Sequence, residues 1–179
     1  MIRDLEFQLL CHRHRDDLFR YARAMLGNAA DAEDATQEVL LRLWNHLPTV
    51  RVFNLKAWLF RTTRNYCLDQ IRRRARTARV LQGEEEALGE REDERAVDPS
   101  LAADSTTRLE QAHEALRRLP ESLRSVFVLY EVNRLRYREI AATLQIPINT
   151  VKVRLLRARQ QLATILSKKE ETWMTLSND

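Results

Sequence analysis

Apolar residues recur every three to four positions along most of the chain, which is the spacing of an amphipathic helix. The spacing predicts a first helix near 3–26, followed by Gly27 at a left-handed C-cap position. A second helix is expected near 31–46 with Asp31 as its N-cap, and a third near 55–79. No stretch alternates apolar and polar residues with period two. The pattern therefore predicts an all-α fold without strands.

The C-terminal part of the chain has its own series of predicted helices. One spans about 106–118, and the next begins with Pro120 at its first position and runs to about 132, where Asn133 is expected to close it in the left-handed region. A short helix near 137–144 is then separated by a three-residue turn from a longer helix near 148–166. This arrangement is typical of a helix-turn-helix.

The charge of the chain is unevenly distributed. The net charge is +4 and the pI about 9.4, yet residues 81–104 contain 2 basic and 9 acidic side chains, between flanking stretches with net charges of +6 and +5. The acidic stretch contains two of the three glycines and no apolar face, so we expect a flexible linker. The two basic blocks favour binding to a polyanion such as nucleic acid.

The longer helix of the helix-turn-helix has two different faces. Val151, Leu155, Ala158 and Leu162 form one apolar stripe that is expected to pack inward. The opposite face consists of Asn149, Lys152, Val153, Arg154, Leu156 and Arg157. Basic side chains on such a face can bind phosphates or guanine edges, and its apolar residues can contact thymine methyl groups. A charged, solvated face without a ligand is the alternative, but the turn length and the basic second helix together favour DNA binding.

Three segments resemble one known family. YREIAATLQIPINTVKVRLLRAR resembles region 4 of the extracytoplasmic-function (ECF) sigma factors, which belong to the sigma-70-like family. DAEDATQEVLLRLW and LKAWLFRTTRNYCLDQIRRRAR resemble consecutive parts of region 2 of the same family. The resemblance implies two small helical domains, a region 2 bundle over 1–80 and a region 4 helix-turn-helix over 106–167. An acidic linker over 81–105 joins them, and 168–179 form a tail.

The resemblance also implies the partners and the residues that contact them. The chain would bind core RNA polymerase, at the coiled coil of the largest subunit and at the flap, and direct promoter-specific initiation. The polymerase contacts would be Asp34, Gln37, Glu38 and Leu41 on the second helix. The minus-ten element would be bound by Phe53, Asn54, Lys56, Arg61, Arg64, Arg72, Arg73 and Arg76. The outer face of the 148–166 helix would read the minus-thirty-five element, and an anti-sigma factor, often membrane-anchored in this family, is a further expected partner.

Other classes of protein explain less of the chain. A helix-turn-helix regulator that binds an operator without polymerase accounts for the C-terminal half only. A metal or redox site would combine Cys11 and His14, on one helix face, with Cys67, but the remaining ligands are scattered. There is no phosphate-binding glycine loop or nucleophile motif, so we expect neither an enzyme nor a cofactor. With two distant cysteines, no export signal and no apolar run of membrane-spanning length, we expect a cytoplasmic protein.

Overall fold

A computed structural model describes residues 2–46, 55–81 and 108–176, and these form seven α-helices without a strand. The first three are α1 (Ile2–Leu26), α2 (Ala29–His46) and α3 (Leu55–Leu81). The other four are α4 (Arg108–Arg117), α5 (Glu121–Phe127), which continues into a π-helical turn (Val128–Val132), α6 (Tyr137–Leu144) and α7 (Ile148–Leu176). The all-α prediction is confirmed. The predicted linker, residues 81–105, lies outside the described residues except for Leu81.

A tight corner joins α1 to α2. Gly27 ends α1 with a φ of +86°, as the sequence predicts, since glycine adopts this region without steric cost. The N-cap of α2 is Asn28 and not Asp31, because the helix begins two residues earlier than expected. The side-chain oxygen of Asn28 accepts the backbone N–H of Asp31 over 2.8 Å. Asp31, in the first turn, is left to pair with Arg74 of α3.

The end of the π-helical turn differs from the prediction. Pro120 is the N-cap of α5, one position before the expected one. Asn133 is right-handed, with a φ of −94°, and Arg134 takes the left-handed conformation with a φ of 57°. The side chain of Asn133 has another task, because its Nδ2 donates a hydrogen bond to the backbone oxygen of Asp17 over 2.7 Å. The side chain of Asn133 therefore bonds to α1, and the left-handed conformation predicted for Asn133 is adopted by Arg134.

The helix-turn-helix has the expected arrangement. Three residues separate α6 from α7, and the first of them, Gln145, has a φ of 55°. The first turn of α6 is closed by Glu139, whose carboxylate accepts the backbone N–H of Arg136 over 2.7 Å. The long helix α7 runs on to Leu176, ten residues past the predicted end at 166. The predicted tail is therefore largely a continuation of α7.

The two halves of the chain share one hydrophobic core. Leu18, Tyr21 and Phe60 from α1 and α3 lie in the same buried cluster as Leu119 and Leu129 from the second half. The rings of Tyr21 and Phe60 meet edge to face, with centroids 5.8 Å apart. The sequence predicted two domains tethered by a linker, and in the structure these halves are packed against each other. None of the described helices is long and apolar enough to cross a membrane.

Candidate nucleic-acid and protein interfaces

The outer face of α7 is open to solvent. Val151, Leu155 and Ala158 are buried, as the periodicity predicts, and so fix the rotation of the helix. The predicted contact residues Asn149, Lys152, Val153, Leu156 and Arg157 are exposed, and Arg154 is half-buried. Val153 is 47% exposed and Leu156 is 58% exposed. Two apolar side chains among exposed cations form a surface that can contact thymine methyl groups as well as phosphates.

The rotation of α7 is also fixed by a polar cluster. Arg159 donates to Glu131 over 2.6 Å and lies over the ring of Tyr130, 5.5 Å from its centroid. The ring of Tyr130 stacks on Tyr137 at a centroid distance of 5.2 Å. These contacts tie α7 to the π-helical turn and to the start of α6. The positioning of the outer face therefore rests on the packing of three elements.

The second predicted surface lies on α2. Ala32, Ala35, Val39 and Leu43 are fully buried. Asp34, Gln37 and Leu41 are exposed and Glu38 is half-buried, so the four predicted contact residues lie on the outer side of the helix. The carboxylate of Glu38 pairs with Arg42 over 2.8 Å. This acidic face can receive a basic helix from a partner.

An apolar surface adjoins the acidic face of α2. Leu41 is 60% exposed, and the shallow depression beside it is lined by Phe7 and Trp44, whose rings meet at 5.0 Å. Leu5 and Leu9 of α1 are also largely exposed. The spacing of apolar residues along α1 predicts a helix but does not tell which of its leucines are buried, so the exposure of Leu5 and Leu9 appears only in the structure.

The predicted minus-ten residues are divided among different environments. Phe53 and Asn54 lie outside the described residues. Lys56 pairs with Glu139 of α6, with Nζ and Oε1 separated by 3.0 Å. Arg61 donates from Nε to the backbone oxygen of Thr143 over 3.0 Å and from Nη2 to that of Ala142 over 2.6 Å. Lys56 and Arg61, both on α3, are thus engaged by the second half of the chain.

Two further cations of this set also meet the second half. Arg64 donates to the hydroxyl of Ser125 over 3.3 Å and lies 3.6 Å from Glu121. Arg72 lies 3.9 Å from the same carboxylate. Arg73 and Arg76, beyond the contact, are exposed. The sequence could not reveal these contacts, because the partners are distant in the chain and some are backbone carbonyls.

Electrostatics favours the contact between α3 and α6. Arg61 binds carbonyls of the last turn of α6, where the unpaired carbonyls and the helix dipole attract a cation. Burial opposes ionisation of Glu139, but the N–H of Arg136 and the ammonium of Lys56 outweigh it and hold the pKa of this carboxyl below its usual range. A charged Glu139 is the form that attracts Lys56.

The predicted alternative of a metal or redox site gains no support from the described residues. They contain no group of three or more His, Cys, Asp and Glu side chains that could hold a metal ion. Cys67 is buried, and burial raises the pKa of its thiol to about 12. A thiol in this state is unreactive at neutral pH.

Comparison with protein families gives two matches, one in each half of the chain. Residues 10–77 match the model of sigma-70 region 2, and residues 109–162 match that of sigma-70 region 4. Both halves therefore have the character of sigma-70 domains, in the order that these domains have in sigma factors.

Individual relatives narrow the class. The chain is 37% identical over 163 residues to the ECF RNA polymerase sigma factor SigE of Mycolicibacterium smegmatis. This alignment covers 89% of the chain and 61% of the relative. It is 33% identical over 171 residues to SigL of Mycobacterium tuberculosis, covering 89% of this chain and 88% of that relative. The chain belongs to the ECF RNA polymerase sigma factors, a family of transcription initiation factors. The alternative of a stand-alone operator-binding regulator is not favoured.

A solved structure resembles the whole arrangement. The sigma factor RpoE of Bartonella quintana, in complex with the anti-sigma factor NepR, aligns with a TM-score of 0.70 and 27% identity. The alignment covers 90% of this chain and 97% of that one, so it includes helices of both halves. The packing of the two halves is therefore shared with a related sigma factor.

Proposed function

We propose that the chain joins core RNA polymerase as an alternative sigma factor and directs it to a specific set of promoters. In this proposal region 2, within residues 1–80, binds the coiled coil of the largest subunit and the minus-ten element. Region 4, within 106–167, binds the minus-thirty-five element and the flap. The observation that carries the proposal is the presence, in one chain of this family, of an exposed acidic face on α2 and an exposed basic face on α7.

The minus-thirty-five function is assigned to the outer face of α7. Asn149 lies near the helix N-terminus, which approaches the bases in a helix-turn-helix. Lys152, Arg154 and Arg157 supply cations, and Val153 and Leu156 supply apolar contacts. The buried stripe beneath them holds the face at a fixed rotation.

The polymerase contact is assigned to Asp34, Gln37, Glu38 and Leu41. The exposed acids are complementary to a basic helix, and exposed Leu41 provides an apolar centre for the contact. An interface with an apolar centre and charged edges is the usual composition of a stable protein contact.

The minus-ten contact is assigned to the cations of α3 and to the segment that precedes it. Single-stranded DNA requires cations along the backbone and a site for unstacked bases. Lys56, Arg61 and Arg64 are candidates for the first role, followed along the helix by Arg72, Arg73 and Arg76. Phe53 and Asn54 are candidates for the second role.

In this function the chain is a binding protein without catalytic activity of its own, and polymerase supplies the chemistry. Its place of action is the cytoplasm, with the polymerase. An anti-sigma factor is the expected negative regulator, since the related Bartonella sigma factor is solved in complex with one. The chain spans 61% of the length of SigE, so the partners of that longer relative need not all be shared.

Binding to core polymerase tests the proposal. Purified chain is mixed with sigma-free bacterial core polymerase and separated by gel filtration. We expect stoichiometric co-elution with core and only weak binding of duplex DNA by the chain alone. Tight duplex binding without association with core would contradict the proposal and point to an operator-binding regulator.

A further inference from the structure

The second half of the chain covers part of the surface to which we assign minus-ten binding. Arg61, Lys56 and Arg64 are the affected cations, and each bonds to α5 or α6. A guanidinium whose N–H groups are bound to carbonyls cannot donate them to a phosphate at the same time. In this arrangement the helix-turn-helix half and a DNA strand compete for the same side chains.

The contact between the halves extends beyond these cations. Arg124 of α5 is buried and donates from Nη1 to the backbone oxygen of Met25 in α1 over 3.0 Å. Asn133 donates to the backbone oxygen of Asp17 over 2.7 Å. The contact is thus held at three places along α1 and α3, which gives it one defined geometry.

Some polar atoms buried in the same contact have no hydrogen-bond partner. Among the described residues, buried polar atoms without a hydrogen bond include Nε of Arg124, Oδ1 of Asn133 and Oγ1 of Thr143. All three belong to residues that bond across the contact through another atom. Unpaired buried polar groups cost free energy, so they weaken the polar part of a contact whose other part is the shared apolar core. The polar part is therefore where opening of the contact would begin.

The other two functional surfaces stay accessible in the same arrangement. Asn149, Lys152 and Arg157 on α7 are exposed, and so are Asp34 and Leu41 on α2. The packing of the halves therefore engages Lys56, Arg61 and Arg64 among the minus-ten cations and leaves the minus-thirty-five and polymerase surfaces open.

We propose that the free chain is self-masked: region 4 occupies the minus-ten cations of region 2 until the two halves separate. This inference rests on the proposed function. Arg61 binds either the C-terminal carbonyls of α6 or the promoter strand, and the polar contact is the element that opens. Polymerase and the minus-thirty-five element can bind the closed chain first, and the minus-ten strand binds after opening.

Charge-neutral substitutions on the covering side test the masking. Glu121→Gln/Glu139→Gln removes the carboxylates that face Arg64, Arg72 and Lys56, and neither residue is assigned to DNA or polymerase binding. Glu33→Gln/Glu114→Gln is the matched control. It makes the same change in net charge, and each of its carboxylates pairs with arginines of its own half of the chain.

The readout is the affinity of the free chain for a single-stranded oligonucleotide, measured by fluorescence anisotropy. The probe is the non-template strand around the minus-ten element of a promoter mapped with the holoenzyme. Loss of three partly exposed ion pairs is expected to make the binding by Glu121→Gln/Glu139→Gln about threefold to tenfold tighter. The control variant and the wild-type chain are expected to bind alike, and all three proteins are expected to bind a minus-thirty-five duplex equally.

The opening itself is measured independently with two fluorophores. They are attached at Asn45→Cys in α2 and Gln161→Cys in α7, both exposed positions, in a Cys11→Ser background. Energy transfer is expected to fall in Glu121→Gln/Glu139→Gln and not in the control. Equal oligonucleotide affinity of this variant and the wild type, whether both bind or neither does, overturns the masking. Core-dependent transcription by the wild-type chain is scored separately, so failure of the masking is distinguishable from failure of the proposed function.

Discussion

Two single residues stabilise parts of the fold: Gly27 in the turn between α1 and α2, and Arg124 in the contact between the two halves of the chain. Arg124 is the most demanding of them, because its guanidinium is buried and bonds to the backbone oxygens of Met25, Arg117 and Leu119 at 2.7–3.0 Å. Burial lowers the pKa of Arg124 to about 10, so the side chain is still charged at neutral pH. It joins the end of α1 to the turn between α4 and α5.

Replacement of Arg124 by alanine tests this role. Arg124→Ala leaves three carbonyls without their charged donor, and we expect the free energy of unfolding to fall by about 2–4 kcal/mol. Urea denaturation followed by circular dichroism measures it. Arg118→Ala, at an exposed position near the same turn, is the control, with an expected change within about 0.5 kcal/mol. Equal effects of the two substitutions would contradict the assigned role.

Gly27 is the second residue with a defined energetic role. Its φ of +86° disfavours any side chain, and an added Cβ would lie 2.8 Å from Cδ of Arg117. The side chain of Arg117 can move, so the backbone conformation dominates the expected loss of about 1–2 kcal/mol for Gly27→Ala. Thermal unfolding measures the loss. Gly27→Asn is expected to cost less, because asparagine tolerates this conformation, and an equally large loss would argue against the backbone explanation.

At the scale of helices, the sequence predicts most of the fold. The buried stripes of α2 and α7 follow from periodicity, because a residue's burial on a helix depends on its angular position. The ends are less predictable. Asn28 replaces Asp31 as the cap of α2, and Arg134 replaces Asn133 in the left-handed conformation. In the second case a hydrogen bond from Asn133 to α1 favours the right-handed backbone conformation of Asn133, and no local sequence pattern encodes this hydrogen bond.

The two functional helices are expected to have separable roles. Lys152→Ala/Arg157→Ala removes two exposed cations of α7. Minus-thirty-five binding by the holoenzyme should weaken by about 1–3 kcal/mol for each base contact that is lost. For each phosphate contact that is lost, the affinity should also depend less steeply on salt concentration. Binding to core polymerase should not change. Duplex-binding titrations at several salt concentrations measure the first effect, and co-elution with core measures the second.

Substitutions on α2 should have the opposite effect. Asp34→Ala/Glu38→Ala is expected to weaken core binding while the isolated chain keeps its affinity for a minus-thirty-five duplex. Asp16→Ala/Glu110→Ala neutralises two exposed acids on other helices and is the control for net charge. If either functional variant lost both activities equally, the division of labour would be wrong.

For the whole molecule, the packing of the two halves is the feature that the sequence does not reveal. The charge pattern consists of two basic blocks and an acidic segment, which favours two domains on a linker but does not give their relative orientation. The structure packs both halves around one hydrophobic core, and buried polar residues such as Arg124 and Asn133 add hydrogen bonds between them. A sequence pattern separates inward from outward faces but does not tell which outward polar residue meets another part of the chain. The hydrogen bonds from Arg61 to the backbone of α6 are for that reason visible in the structure and not in the sequence.

Promoter-specific initiation is the most direct test of the account. Core polymerase and the chain are combined with a library of genomic fragments from the source organism, and transcript 5′ ends are mapped with and without the chain. We expect a small set of chain-dependent start sites that share two elements at the spacing of minus-ten and minus-thirty-five. Transcripts that are the same with and without the chain would contradict the assignment of a sigma factor.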